Sequence, residues 1–179
     1  AGGRGAKRTS GYMESAARQL RGVLIQELKE LEKARSFDEL HTQVDEISFM
    51  MAKRMRDAIV DDIDFAYRNG YESAYGEIRG VKKTAAKAPD MSVEDENLLQ
   101  SLKNEGVLFK AYADFQNTVS TELNRVINQS IAAGLSINQT VQAMRATAIG
   151  ETYKLTRIAR TEITNISNEG RLRGYKIAE

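Results

Sequence analysis

The stretch Glu151–Tyr175, ETYKLTRIARTEITNISNEGRLRGY, decides how the chain reads. Placed on a helix at about 100° per residue, Leu155, Ile158, Ala159 and Ile166 fall on one apolar arc. Arg157 and Arg160 point away from that arc, whereas Glu162 falls inside it. An ionised carboxylate aimed at a core is costly unless paired. The spacing therefore makes Glu162 a candidate structural anchor, expecting a cation from another helix (Arg145 or Arg125) or a raised pKa. The plainer reading is a long side chain that bends its head to water from the edge of an apolar face. Catalysis by Glu162 would require a second carboxylate, a histidine or a metal partner, and none is legible at a matching position.

Upstream, Gly150 is expected to separate this helix from a shorter one opened by Ser136-Ile137-Asn138-Gln139, which has the form of a capping box. Gly134 is expected to end the helix before that. There Leu108, Tyr112, Phe115, Val119, Leu123, Val126 and Ser130 follow each other at steps of three or four, the cleanest amphipathic pattern in the chain. Asn168-Glu169-Gly170 is expected to end or bend the last helix. Short connections favour antiparallel neighbours, so residues 92–179 read as a compact helical bundle.

Further back, residues 81–91 read as a linker or hinge: a basic, alanine-rich run closed by Pro89-Asp90, with Ser92-Val93-Glu94-Asp95 starting a short helix beyond it. Residues 11–80 read as a long helical region. Ala16, Leu20, Leu24, Leu28 and Leu31 form a stripe suited to a partner helix or a neighbouring subunit. Ser36-Phe37-Asp38-Glu39 then caps a second helix whose face runs from Leu40 through Val44, Ile47, Met51, Met55, Ile59 and Ile63 to Ala66. The methionines on it read as gap fillers of a core. Asn69-Gly70 is expected to cap or kink that helix, because Tyr71, Ala74, Tyr75 and Ile78 resume the pattern. Residues 1–10 are glycine-rich and basic and read as a flexible arm, with helix one starting near Gly11.

Composition agrees with an all-α fold: long N-terminal helices, as a hairpin or an extension, followed by the bundle. Of 179 residues only one is proline, aromatics are sparse and tryptophan is absent, while Lys, Arg, Glu, Ala and Leu abound. There is no cysteine, which removes disulfides and thiolate metal sites. His41 stands alone on the polar side of its helix, without a second ligand at i+3 or i+4, so no metal site and no cofactor are expected. No run approaches the length of a membrane span. The chain begins at Ala1, which leaves open a processed or truncated start. Charge nearly balances, at +1, but is uneven: Arg4, Lys7 and Arg8 lie at one end, Arg171, Arg173 and Lys176 at the other, and Asp57, Asp61, Asp62 and Asp64 in between. Solvation is the ordinary role of such charges. The functional alternative is non-specific contact of Arg4, Lys7 and Arg8 with nucleic-acid phosphates, for which no base-reading motif is needed and none is present.

Taken together, the glycine-led capping box at Gly134–Gln139, Arg157-Ile158-Ala159-Arg160-Thr161-Glu162, and Asn168-Glu169-Gly170-Arg171 with Tyr175 resemble the head morphogenesis family of tailed bacteriophages. These are minor head proteins related to the F protein of phage Mu. The stretch Asp64–Tyr75, with Phe65, Gly70 and Tyr71, is similar to the family's upstream helix, so the likeness covers roughly residues 45–179. The resemblance implies a structural minor head protein in the virion, inside the capsid near the portal vertex, present in several copies. It implies contacts with portal protein, with packaged DNA and with major capsid or scaffold protein, and a role in head assembly and DNA packaging or delivery. Arg157, Arg160, Arg171 and Arg173 are the residues on which portal or DNA contact is expected. Many family members continue into a C-terminal enzymatic or variable region, whereas this chain stops at Glu179, so no enzymatic activity is expected. Two other classes remain: a helical scaffold that self-associates through the Ala16–Leu31 stripe, and an enzyme whose site is completed between subunits.

Overall fold

The computed structural model describes residues 3–80 and 88–179, with the side chains of residues 14–80 and 88–179. Among these the chain is all-α: α1 (Gly3–Leu31), α2 (Phe37–Ile78), α3 (Val93–Asn104), α4 (Val107–Ala132) and α5 (Ile137–Ala178), with no strand. Two long N-terminal helices are thus followed by three more. The expected arm overlaps α1, which starts at Gly3 and not near Gly11. Arg4, Ala6, Lys7 and Arg8 are good helix formers, and extending an existing helix costs far less than nucleating one. The side chains of Arg4, Lys7 and Arg8 lie outside the described residues, as do residues 81–87 of the expected linker; residues 88–92 are non-helical.

Local chemistry sets the helix ends. At α5, Ser136 Oγ accepts from Gln139 N–H at 3.2 Å and Gln139 Oε1 accepts from Ser136 N–H at 2.9 Å, a reciprocal capping box. At α2, Ser36 Oγ accepts from Glu39 N–H at 3.1 Å, while the Glu39 carboxylate takes Arg35 N–H. At α3, Ser92 Oγ accepts from Asp95 N–H at 3.1 Å. α4 ends at Gly134, whose φ of 69° allows Leu135 N–H to reach back to Ser130 O at 2.9 Å.

At three glycines where an end or a bend was expected, no helix ends. α2 runs unbroken through Asn69-Gly70, and α5 runs through both Gly150 and Gly170. One mid-helix glycine costs about 1 kcal/mol relative to alanine. The burial of neighbours such as Tyr67 and Tyr71, or Ala148 and Leu155, outweighs it.

The chain forms two compact units, each drawing on both halves of the sequence. One comprises Ala17–Ala58 and Lys110–Arg157. Its core takes Leu20, Leu24, Leu28 and Leu31 from α1 and Leu40, Val44, Ile47, Met51 and Met55 from α2. α4 adds Tyr112, Phe115, Val119 and Leu123, and α5 adds Val141 and Met144. The α1 stripe, a candidate for self-association, is therefore buried within the chain. Polar pairs tie this unit together. Arg54 meets the buried Glu27, Arg145 meets Glu32, and His41 Nδ1 lies 2.8 Å from Asn124 Oδ1. Burial raises the Glu27 pKa, opposed by Arg54 and assisted by Glu30.

The other unit comprises Ala1–Ala16, Ile59–Phe109 and Ile158–Glu179. At its centre α2 and α5 approach so closely that only glycine fits. A Cβ on Gly170 would lie 2.1 Å from the Tyr67 carbonyl oxygen, one on Gly174 2.2 Å from that of Tyr71, and one on Gly70 2.2 Å from that of Ser167. Ala66, Gly70 and Ala74 on α2, and Gly170, Gly174 and Ala178 on α5, are spaced four apart. Such rows of small residues bring backbones within reach of Cα–H···O contacts.

Candidate functional site

The motif residues 157–162 form about a turn and a half of α5, and the buried face of the helix is rotated from the sequence reading. Leu155, Ala159, Ile163 and Ile166 are buried, whereas Ile158 is 41% exposed. With Ile163 at the centre of the arc, Glu162 moves to its margin. It is half-buried and accepts from Asn165 Nδ2 at 3.1 Å. Neither expected cation serves it: Arg145 pairs with Glu32, and Arg125 holds Glu122 and Gln129. The buried anchor is therefore replaced by an edge carboxylate bonded within its own helix.

Arg157 and Arg160 are exposed, as expected, together with Ile158 and Thr161. They present a patch with two guanidinium groups and one branched aliphatic side chain, backed by the buried Leu155, Ala159 and Ile163. Arg160 has no acidic partner among the described residues.

Arg171 and Arg173, also expected as outward contacts, are instead engaged inside the unit. Arg171 Nη2 donates to Glu77 Oε2 at 2.9 Å and to Tyr175 Oη at 2.7 Å, and its guanidinium sits 5.6 Å from the Tyr175 ring centroid. Tyr175 in turn donates to Glu77 Oε2 at 2.8 Å. Arg173 Nε lies 3.6 Å from both Asp95 Oδ1 and Glu169 Oε1. Tyr175 and Glu169 are one turn away on α5, whereas Glu77 and Asp95 come from α2 and α3, far away in sequence, where helical spacing alone does not identify them.

A second polar assembly was not legible in the sequence. Arg68 on α2 donates to Asp64 Oδ2 at 2.8 Å and grips Glu96 of α3 with both terminal nitrogens, at 2.8 and 2.9 Å. Lys103 Nζ reaches Asp64 Oδ1 at 2.6 Å. Burial raises the Asp64 carboxyl, but hydrogen bonds from Lys103 and Arg68 outweigh it and hold the pKa below the usual range. Beside this network, Asp61, Phe65, Asn69 and Glu72 help line an open hollow of about 400 Å³. Tyr67 and Asp95 of the same unit are both buried. Burial, with the Asp95 charge next, pushes the Tyr67 phenol up to about 12. The signals available in sequence were the acidic opening of α3 and the rows of small residues.

Among the described residues no group of three or more His, Asp or Glu side chains could hold a metal ion, and no helix is long and apolar enough to cross a membrane. No protein-family model, no curated protein and no solved structure matches the chain.

Proposed function

We propose that this chain is a structural minor head protein of a tailed bacteriophage. In this reading it acts inside the capsid near the portal vertex, in head assembly and DNA packaging or delivery, and docks on portal protein through the outer face of α5. The observation that carries the reading is the presentation of the motif. Arg157, Ile158, Arg160 and Thr161 face solvent, while Leu155, Ala159 and Ile163 secure the helix from behind. Two arginines around an exposed aliphatic side chain suit an acidic protein surface, since guanidinium groups make bidentate bonds with carboxylates and charge complementarity guides docking. DNA phosphate would be met by the same groups. Arg171 and Arg173 have no part in this contact, being used within the fold.

The test is the double substitution Arg157→Ala with Arg160→Ala. Both residues are exposed, so stability is expected to stay within about 1 kcal/mol of the parent. Co-purification with the portal protein encoded beside the gene is expected to fall sharply. Undiminished co-purification by a folded double variant would refute the docking role. A scaffold that self-associates through the Ala16–Leu31 stripe is disfavoured, because that stripe is buried.

A further inference from the structure

α3 buries little apolar surface and is tied to its unit by several ion pairs. Only Leu99 of its apolar residues is fully buried; the other buried residue is Asp95. Leu98 and Leu102 are half-buried, and an ionic hold is spread along its length. Near the start, Asp95 lies 3.6 Å from Arg173 of α5, and one turn is clamped by Glu96 in a bidentate grip on Arg68 of α2. At the far end Lys103 donates to Asp64 of α2 at 2.6 Å. Arg68 bonds Asp64 as well, so the two α2 attachments form one network. The Glu96, Arg68, Asp64 and Arg173 side chains are each 32–41% exposed. Solvent and salt therefore reach most of the latch.

These ion pairs attach α3 beside the α2–α5 crossing. Asp95 meets Arg173 of α5, the neighbour of Gly174, which packs on Tyr71, and Glu96 meets Arg68, the neighbour of Tyr67. The Asp95 charge also raises the pKa of both phenols, and both tyrosines are almost wholly buried. The crossing has its own hold, through Gly70, Gly170 and Gly174, that does not involve α3.

We propose that α3 is an electrostatically latched strap, which lifts from α2 and α5 when its ion pairs are broken and uncovers the Tyr67–Tyr71 face while the α2–α5 crossing stays intact. Local opening of this kind draws on the least apolar contacts in a fold. A charged partner surface that competes for Arg68, Lys103 or Asp64 would release it in the same way as salt. The strap stands independently of the portal reading, because it rests on contacts within one unit.

The test is amide hydrogen exchange of the whole chain at low and high NaCl. At about 1 M salt the screening length falls to about 3 Å, so α3 amides are expected to exchange roughly tenfold faster than in dilute buffer, while those of α2 and α5 at the crossing change by less than about threefold. Arg68→Glu is expected to give the same selective loss in low salt, and the exchange Arg68→Glu with Glu96→Arg to restore much of it. Exchange of α3 that ignores salt, or that always moves in step with the crossing, would overturn the proposal. So would a charge-swapped variant no better protected than Arg68→Glu alone. A single variant that unfolds leaves the salt experiment on the parent protein to decide.

Discussion

Replacing Gly170 with alanine tests the close crossing of α2 and α5 most directly, because local and tertiary effects have opposite signs. In an isolated helix the change is favourable by about 0.5–1 kcal/mol, since alanine loses less backbone entropy. Here the new Cβ would sit 2.1 Å from the Tyr67 carbonyl oxygen, 2.9 Å from its carbonyl carbon and 3.1 Å from its Cα. A carbon–oxygen approach settles at about 3.3 Å or more, so the helices must part by roughly 1 Å. The obstruction is backbone, which cannot swing aside as a side chain can. A gap of that size forfeits a quarter to a half of the dispersion attraction along the seam, and overpacking of this kind costs about 1–3 kcal/mol, sometimes more. The net expectation is a loss of about 2 kcal/mol, or about 4–8 °C in Tm for a chain of this length. Gly150→Ala is the internal control: it lies in the same helix with nothing within 4 Å of its Cβ position, and should gain about 0.5–1 kcal/mol. Thermal and urea melts followed by far-UV circular dichroism would measure both. Equal or greater stability of Gly170→Ala than of Gly150→Ala would refute the reasoning.

Two further predictions concern carboxylates. Glu162→Ala removes a half-buried group with one bond inside its own helix, so its cost should stay below about 1 kcal/mol, not the roughly 3 kcal/mol expected for a buried, paired anchor; a loss of the larger size in a urea melt would restore the anchor. Asp62 has a buried, unpartnered Oδ2, and burial, followed by the neighbouring Asp61, raises its pKa. A carboxyl raised in the folded state stabilises fully below its unfolded pKa and loses that contribution as pH rises through the folded value, so ionised Asp62 works against the fold at neutral pH. Asp62→Asn should therefore raise Tm at pH 7, with the gain shrinking towards about pH 4; a lower Tm at pH 7, or a gain independent of pH, would contradict this.

What the sequence determined by itself was whatever depends on neighbours within a turn or two. The 3.6-residue period placed Leu108, Tyr112, Phe115, Val119, Leu123, Val126 and Ser130 on one face, and all seven are buried. Ser136 with Gln139 and Gly134 marked real helix ends, because capping bonds span three to five residues. The exposure of Arg157 and Arg160 was legible for the same reason. The tertiary structure decided the rest. Whether Gly70 and Gly170 break a helix or let another pass cannot be read locally, since both uses need the same absent side chain. Whether Arg171 and Arg173 face a partner or bind Glu77, Asp95 and Glu169 depends largely on carboxylates that folding brings from distant segments. A rotation of the buried face, with Ile163 and not Ile158 turned inward, moved Glu162 from the core to its margin. A helix has no inside until another helix lies against it, so periodicity fixes the faces of each helix and only packing decides which face turns inward.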